Sequence, residues 1–486
     1  MYRVTFRDSS VECDGRVIAG APAPRRRPGP TWTLERARDR ADVTAYHLLR
    51  RAVFVDRQRL FERDDIDDVD LDPRTVVLLA RADDGEVLGG VRLGPVTPDV
   101  DLGWWHGGRL VARPGGPVGV GADLVKAACR HAAAVGVLRF EADVQIQNQR
   151  FFQRLGWQVV PAAGPLRPGH ARMRHRDDRI AALARATKAP LGALLAAIRP
   201  GGAGFLGDDG APVPGSDLVA ACDAILPTMV ERDPQWAGWC SVLVNLNDLA
   251  AMGAAPVGLL DALGAPDAAT AAAVLSGLRA ASDRYGVPVL GGHTTLGVPG
   301  SLAVTALGRA ERPVPGGGGQ PGHRVCLTVD TAGSWRPGYV GRQWDSTSGR
   351  SRPQLQAMLG SVAAAAPAAA KDVSMAGLVG TLGMLAEASG VAAVLDVANV
   401  PRPAAASVGD WFTCFPGFGM LTTDEPRRPM PDAGPAKSTE VGHLTAGSGV
   451  QLRWPDGECT VAIESGVTGL GPSGGTGQMG SPSWPS

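Results

Sequence analysis

The sequence predicts three folded regions in one chain: an α/β domain followed by a two-part α+β module. Three observations predict this. At 486 residues the chain exceeds what one hydrophobic core organises. Two glycine–proline breaks divide it, Arg199-Pro200-Gly201-Gly202 and the loop from Pro313 to Gly322 with its four consecutive glycines. Between the breaks, strand-length apolar runs alternate with segments of helical period. The expected boundaries are a lead-in over 1–32, an α/β domain over 33–176, a linker helix over 177–200, and module halves over 201–312 and 323–465. The remainder, 466–486, is rich in Gly, Pro and Ser and is expected to be disordered.

Composition narrows the function classes. Forty-eight basic residues balance forty-eight acidic ones, and there is no long basic run, so neither a nucleic-acid nor a membrane partner is indicated. The partners expected are small molecules. Nearly all the basic residues are Arg; Lys occurs only at 126, 188, 371 and 437. Seven scattered cysteines give no zinc spacing or disulfide framework, which points to the reducing cytoplasm. No N-terminal segment reads as a signal peptide.

In the first domain the apolar spacing predicts a helix over 33–60, then an acidic run containing Asp64, Asp65, Asp67, Asp68, Asp70 and Asp72. That run reads either as a solvated loop, the favoured reading, or as a lure for a cationic amine. Strands over 75–81 and 86–93 flank the turn Asp83-Asp84-Gly85. A strand over 108–112, a helix over 121–135, a strand over 139–144, a helix over 149–155 and a final strand over 158–160 follow. The loop between the 108–112 strand and its helix contains Gly115, Gly116, Gly119 and Gly121. Glycines there let backbone N–H groups approach an anion at a helix N-terminus.

Over residues 35–175 the sequence resembles the GNAT acyl-CoA N-acyltransferases. Gly119 and Gly121 match the two glycines of that family's CoA-pyrophosphate loop, while Gly116 stands where a basic or amide residue is usual. Asn148-Gln149-Arg150-Phe151-Phe152 and Leu155-Gly156-Trp157 resemble the family's Asn-containing helix and Gly-aromatic strand. The segment 144–157 looks specifically like the acetyltransferases encoded beside nitrilases in bacterial nitrogen-metabolism clusters. The resemblance implies acetyl-CoA as co-substrate, with Val111, Val118, Gly119, Val120, Gly121, Ala122 and Asn148 around it. Acyl transfer needs a deprotonated amine and a proton for the leaving thiolate. Glu141 and Asp143 are the candidate bases, two apart on a strand and therefore on one face. The position that often carries a proton-donating Tyr is Phe152. His106, beside Trp104 and Trp105, reads as either an acceptor-site residue or a structural histidine, the latter favoured.

The second region carries dispersed carboxylates: Asp208 and Asp209 in a glycine turn, then Asp223, then Asp248 in Asn245-Leu246-Asn247-Asp248, and finally Gly291-Gly292-His293-Thr294. Mg²⁺ takes hard oxygen ligands and usually shares them with phosphate, so such a set suits Mg²⁺ and ATP. The set resembles the superfamily of aminoimidazole ribonucleotide (AIR) synthetase, PurM-like, which includes thiamine-monophosphate kinase and selenophosphate synthetase. Lys371-Asp372-Val373-Ser374 looks like the C-terminal Asp segment of that superfamily. The resemblance implies metal ligands at Asp208, Asp209, Asp223, Asp248 and Asp372, a nucleotide contact through Gly291, Gly292, His293 and Thr294, and a homodimer through this module. The segment preceding Gly207 lacks the reactive Cys of selenophosphate synthetase, and His293 stands where thiamine-monophosphate kinases usually carry Asp. The fold expected is therefore an α/β GNAT domain followed by a two-part α+β PurM-like module. The function expected is a bifunctional enzyme: an N-acetyltransferase acting on a small amine, joined to a Mg-ATP-dependent phosphoryl-transfer or activation module. The alternative is a CoA- and nucleotide-binding scaffold in which one or both activities are lost.

Overall fold

The computed structural model describes residues 32–162, 164 and 166–473. The lead-in before Trp32 and the tail beyond Ser473 lie outside the described residues. The first domain is a seven-stranded sheet in the order β1-β2-β3-β4-β5-β7-β6. Its strands are β1 (Trp32–Arg36), β2 (Val76–Ala82), β3 (Val87–Pro95), β4 (Trp104–Ala112), β5 (Arg139–Gln145), β6 (Trp157–Val159) and β7 (His170–His175). Helices α1 (Arg40–Arg50), α2 (Asp68–Leu71), α3 (Val120–Ala134) and α4 (Gln149–Arg154) surround it.

Two elements differ from expectation. The helix predicted from residue 33 begins only at Arg40, where the Asp39 side chain accepts the Asp42 N–H at 2.9 Å. The preceding residues pair with β2 instead. The strand expected to be last, near 158–160, is not the last: β7 follows it and inserts between β5 and β6. With Met173 its one fully buried residue, β7 lacks the apolar alternation of a strand. Its arginines pair with acids on β5 instead.

The acidic run is neither a solvated loop nor a free anionic surface. Arg50, which has no exposed surface, donates to Asp65 at 2.7 Å and to Asp70 at 2.6 Å. Arg92 forks onto Asp67 with two 2.6 Å bonds, and Arg109 reaches the same carboxylate at 2.9 Å. Charges this deep are tolerated only when paired, so the run folds inward around three arginines.

After α5 (Arg179–Lys188) and α6 (Leu191–Leu195), the second region forms a five-stranded sheet in the order β11-β10-β12-β9-β8. Its elements are β8 (Ala211–Pro212), β9 (Leu218–Ile225), α7 (Pro227–Arg232), α8 (Pro234–Ala251), β10 (Ala255–Ala265), α9 (Ala268–Tyr285), β11 (Val289–Leu296) and β12 (Ser301–Arg309). The long helices α8 and α9 cover one face of this sheet. On the other face and at the β11 edge, Leu260, Leu290 and Leu296 are exposed.

The third region holds β13 (Arg324–Val329), the short ribbon β14 (Ser334–Trp335) and β15 (Trp344–Asp345), α10 (Arg352–Leu359), α11 (Ser361–Ala365), β16 (Ala369–Asp372), α12 (Gly377–Ser389), β17 (Ala392–Asp396), α13 (Val408–Thr413), β18 (Gly419–Asp424), β19 (Lys437–Thr445), β20 (Val450–Arg453) and β21 (Cys459–Ile463). Its sheet order is β16-β18-β13-β19-β17-β20-β21. One apolar core joins α8 and α9 to Leu355, Phe418 and Met420 of this region. A second core takes Trp104 from the first domain and Ile180 and Ala184 from α5. Residues 466–473, expected to be disordered, are fastened: the Glu387 carboxylate accepts the N–H groups of Val467, Thr468, Gly469 and Gly471 at 2.7–3.2 Å.

The first and third regions are locked by buried charge. Glu141, with no exposed surface, accepts from Arg139 at 3.0 Å, from Arg174 at 2.8 Å and from Trp104 at 3.0 Å. Arg139 in turn forks onto Asp456 at 2.9 and 2.8 Å, reaches Glu458 at 2.5 Å and lies 4.0 Å over the Trp104 ring. Glu141→Ala leaves two guanidiniums short of charge at the seam. It is expected to cost about 3–5 kcal/mol, measured by urea denaturation. A loss below about 1 kcal/mol would show that the seam does not depend on this carboxylate.

Candidate functional sites

Strands β4 and β5 run parallel and pair only from Trp104 to Gly107 against Arg139 to Ala142. Beyond that they part. A register shift between Gly90 and Arg92 in the β3–β4 ladder and a left-handed backbone at Arg109 (φ 54°) turn β4 away. The gap opens a cavity of about 770 Å³, lined among others by Gly108, Arg109, Leu110, Asp143, Val144 and Asn148. Phe140, Phe152 and Trp157 form an aromatic wall. Phe152 brings no hydroxyl, and the Tyr46 hydroxyl is committed to the Arg109 carbonyl at 2.7 Å.

The structure separates the two candidate bases. Both lie on one face of β5, as alternation requires, but Glu141 is covered by the third region and does not line the cavity. Burial opposes its charge, yet Arg139 and Arg174 outweigh burial and hold the carboxyl below its usual range. Glu141 is thereby placed as a seam residue with no path to an acceptor. Asp143, two residues on, does line the cavity. Burial again opposes ionisation, and His106 and Arg172 overcome it, holding Asp143 well below the usual carboxylate range. That makes Asp143 a fixed anion and a weak base. His106, expected to be structural rather than an acceptor-site residue, lines the cavity. Its Nε2 is buried without a hydrogen-bond partner, lies 3.8 Å from Asp143 Oδ2, and its ring faces the cavity. The signal was faint, a single His between Trp105 and Gly107 on a strand.

The glycine loop leads into α3. Gly119 (φ 112°) is the N-cap and has no side-chain cap bond. Val118 is almost fully exposed, whereas Val120 is buried and fixes the first turn. The N–H groups of this turn therefore face outward at the positive end of the helix. Val111 is buried behind the loop, and Asn148 opens α4 at the cavity.

The second site forms where the second and third regions meet. Lys371, buried at the end of β16, donates to Asp209 Oδ1 at 2.9 Å and to the Gly207 carbonyl at 3.3 Å, and sits 3.8 Å from Asp208 Oδ1. Asp209 also accepts the Asp372 N–H at 3.1 Å, and Asp208 accepts the Gly316 N–H at 2.8 Å. The Asn245 amide oxygen receives the Asp223 N–H at 3.0 Å, fixing that strand against α8. The loop expected as a mere boundary is part of the site: a Cβ on Gly316 would fall 2.3 Å from Asp208 Oδ1 and 2.9 Å from Lys371 Nζ. Lys371 enters the sequence analysis only as part of the segment Lys371-Asp372-Val373-Ser374. In a chain with four lysines, its rarity was the available signal.

The carboxylates strain against one another. Burial raises the Asp208 carboxyl to about 6. Burial, then neighbouring carboxylates, raise Asp248 and Asp372 well above their ordinary value. Burial opposes the Lys371 ammonium, but Asp209 and Asp208 outweigh it and keep it charged. The charged side chains at this site are carboxylates and two ammonium groups, Lys371 and, acting on Asp223 and Asp372, Lys188. Asp208 Oδ1 is buried without a hydrogen-bond partner, and no three metal-ligating groups converge on one point among the described residues. That donor set fits Mg²⁺ held by a few carboxylates and completed by phosphate and water. Gly291, Gly292, His293 and Thr294 are not brought to it. They lie exposed on β11, three strands across the sheet from Asp223 through the register Asp223–Val304–Asp261–Gly292.

Comparison with known proteins agrees with this architecture. The acetyltransferase (GNAT) family profile matches residues 43–157, and the AIR synthase related N- and C-terminal domain profiles match 207–310 and 342–455. An uncharacterized protein of Synechocystis sp. is 36% identical over 231 residues, 46% of this chain and 71% of that protein. The chain belongs to the AIR synthase related family and carries a GNAT domain ahead of it. A thiamine-monophosphate kinase of Methanospirillum hungatei is 32% identical over 180 residues, 35% of this chain, which spans 60% of that kinase's length. The crystal structure of thiamine-monophosphate kinase from Stenotrophomonas maltophilia superposes with TM-score 0.41 at 27% identity, covering 52% of this chain and 91% of that one. Among the described residues no helix is long and apolar enough to cross a membrane.

The raised aspartates have a consequence for pH. Above their ordinary pKa of 3.8, Asp248 and Asp372 keep protons in the folded chain that the unfolded chain releases. Stability of the metal-free protein should therefore fall as pH rises above the ordinary carboxylate range toward neutrality. Asp248→Asn should flatten that slope and be no less stable than wild type at the upper end. Thermal melts across that range check both, and a steeper slope in the variant would contradict the repulsion.

Proposed function

We propose that the chain is a bifunctional enzyme. Its first domain transfers acetyl from acetyl-CoA to a small amine, and its AIR-synthase-related module uses Mg-ATP to phosphorylate or activate a small molecule. The observation supporting the first activity is the His106–Asp143 pair facing the cavity between the parted strands. In this reading the outward N–H groups at the start of α3 hold the CoA pyrophosphate, and the thioester lies in the gap. His106 takes one proton from the acceptor ammonium, and the Asp143 anion stabilises the imidazolium that forms. The freed nitrogen lone pair attacks the thioester carbonyl. The N–C bond forms and the C–S bond breaks, with its electron pair leaving on sulfur. The proton the nitrogen then sheds goes to that thiolate, giving amide and free thiol, and His106 returns its own proton to solvent.

For the second activity, the support is the cluster of Asp208, Asp209, Asp223, Asp248 and Asp372 around Lys371. Mg²⁺ bound there would neutralise carboxylates and phosphates that otherwise repel each other. Lys371 holds the Asp208-Asp209 turn against β16, and so keeps the two regions in register for phosphate. The exposed β11 edge and the bare sheet face beside it suit a second copy of the chain. Homodimerisation there would carry His293 and its neighbours to a surface shared by two protomers. The reducing cytoplasm is the compartment we propose, since the six described cysteines are all free.

Three measurements test this reading. Gly119→Val forces a β-branched residue into a left-handed backbone (φ 112°) beneath the pyrophosphate. It should weaken acetyl-CoA binding by more than about 1 kcal/mol in calorimetry, and unchanged affinity in a folded variant places CoA elsewhere. His106→Gln should lower kcat about 100-fold or more with little change in acetyl-CoA affinity; an unaltered kcat removes His106 as the base. ATP should raise the melting temperature only with Mg²⁺ present, and less in Asp248→Asn. Equal shifts in the two proteins would sink Asp248 as a ligand.

A further inference from the structure

Among the described residues, one cation lining the acetyl-transfer cavity has no carboxylate partner. Of the charged side chains lining it, Arg92 and Arg109 are spent on Asp65, Asp67 and Asp70, and Asp143 is spent on Arg172 and faces His106. Arg167, on the loop between β6 and β7, has no carboxylate partner among the described residues. Its guanidinium lies 4.4 Å from the centre of the Phe61 ring, which Arg109 also approaches at 4.7 Å. The ring orients the fork without neutralising it. The acidic run that might have drawn a purely cationic amine is already consumed by Arg50, Arg92 and Arg109. None of residues 113–122, which carry the proposed pyrophosphate loop, lines the cavity, whereas Leu60, Phe61, Arg167 and His170 do. Arg167 therefore stands on a different loop from the CoA phosphates.

Resting on the acetyl-transfer reading, we propose that the acceptor is an amine that also carries a carboxylate, and that Arg167 binds this carboxylate while His106 and Asp143 face the ammonium. A guanidinium fork matches a carboxylate with two parallel hydrogen bonds. An acceptor with both charges sets its ammonium against His106 and Asp143 and supplies Arg167 with a carboxylate. A plain alkylamine does only the first.

The test uses the full chain, acetyl-CoA, and a panel of amino acids, each set against the amine of the same carbon skeleton lacking the carboxylate. Release of CoA thiol is followed, together with calorimetric binding of acetyl-CoA. The expected result is that kcat/KM favours the carboxylate-bearing member of each pair by about tenfold or more. Arg167→Ala should collapse that ratio with acetyl-CoA affinity retained, and Arg167→Lys should restore part of it. Arg167 is exposed, so neither variant threatens the fold. Three outcomes overturn the inference while leaving acetyl transfer standing: acceptance of alkylamines alone or equally, refusal of the whole panel by protein that binds acetyl-CoA, or a tenfold loss of acetyl-CoA affinity in Arg167→Ala, which would make Arg167 a CoA-phosphate ligand. Absence of acetyl-CoA binding to wild type overturns both.

Discussion

A charge removed from water must meet its opposite, and strand β5 carries that constraint for the molecule. Glu141 at its centre has no exposed surface and is held by Arg139, Arg174 and Trp104, while Arg139 reaches on to Asp456 and Glu458. Removing Glu141 would strip the buried Arg139 and its neighbour Arg174 of the carboxylate they share. The acetyltransferase sheet is thereby committed to one docking on the third region. Two residues along the same strand, Asp143 emerges where β4 has turned away. Arg172 stands between them, bound to Asp143 and 3.7 Å from Glu141. The same ionic framework thus fixes the seam and presents the anion that faces His106.

The second site obeys the same rule with the opposite balance. Around Lys371 the carboxylates outnumber the cations, and burial, then that surplus, pushes the Asp248 and Asp372 carboxyls well above their ordinary range. Such a cluster is costly to fold empty and well suited to a divalent cation that phosphate completes. It also accounts for a glycine at 316, where a Cβ would press on the Asp208 carboxylate and the Lys371 ammonium. The loop, the turn at Gly207 and the β16 lysine come from three parts of the chain and meet only in the folded protein.

The two sites share structure as well as sequence. Trp104 and the linker residues Ile180 and Ala184 sit in the core of the third region, so the domains are not beads on a flexible string. The segment after β21, bound by four N–H groups to Glu387, adds a strap that runs back past Gly192 and Gly207 toward the Asp208 turn.

Much of this was legible in the chain. Glycine–proline breaks marked the regions, and strand and helix periods in the first domain gave most elements within a few residues. The glycine loop and dispersed aspartates named both families, because those motifs encode local backbone geometry and ligand chemistry that need no long-range partner. What the sequence could not settle were outcomes decided by distant groups. Alternation put Glu141 and Asp143 on one face, but only the docking of Asp456 and Glu458 sealed one and left the other open. An acidic run reads as solvated until Arg50, Arg92 and Arg109 are seen to enter it. β7 has too few apolar residues to announce itself, since its place is held by ion pairs to β5. His106 and Lys371 were ordinary residues in the sequence. The cavity wall and the carboxylate cluster around them exist only in three dimensions, where burial and opposite charge, acting across hundreds of residues, decide which groups can react.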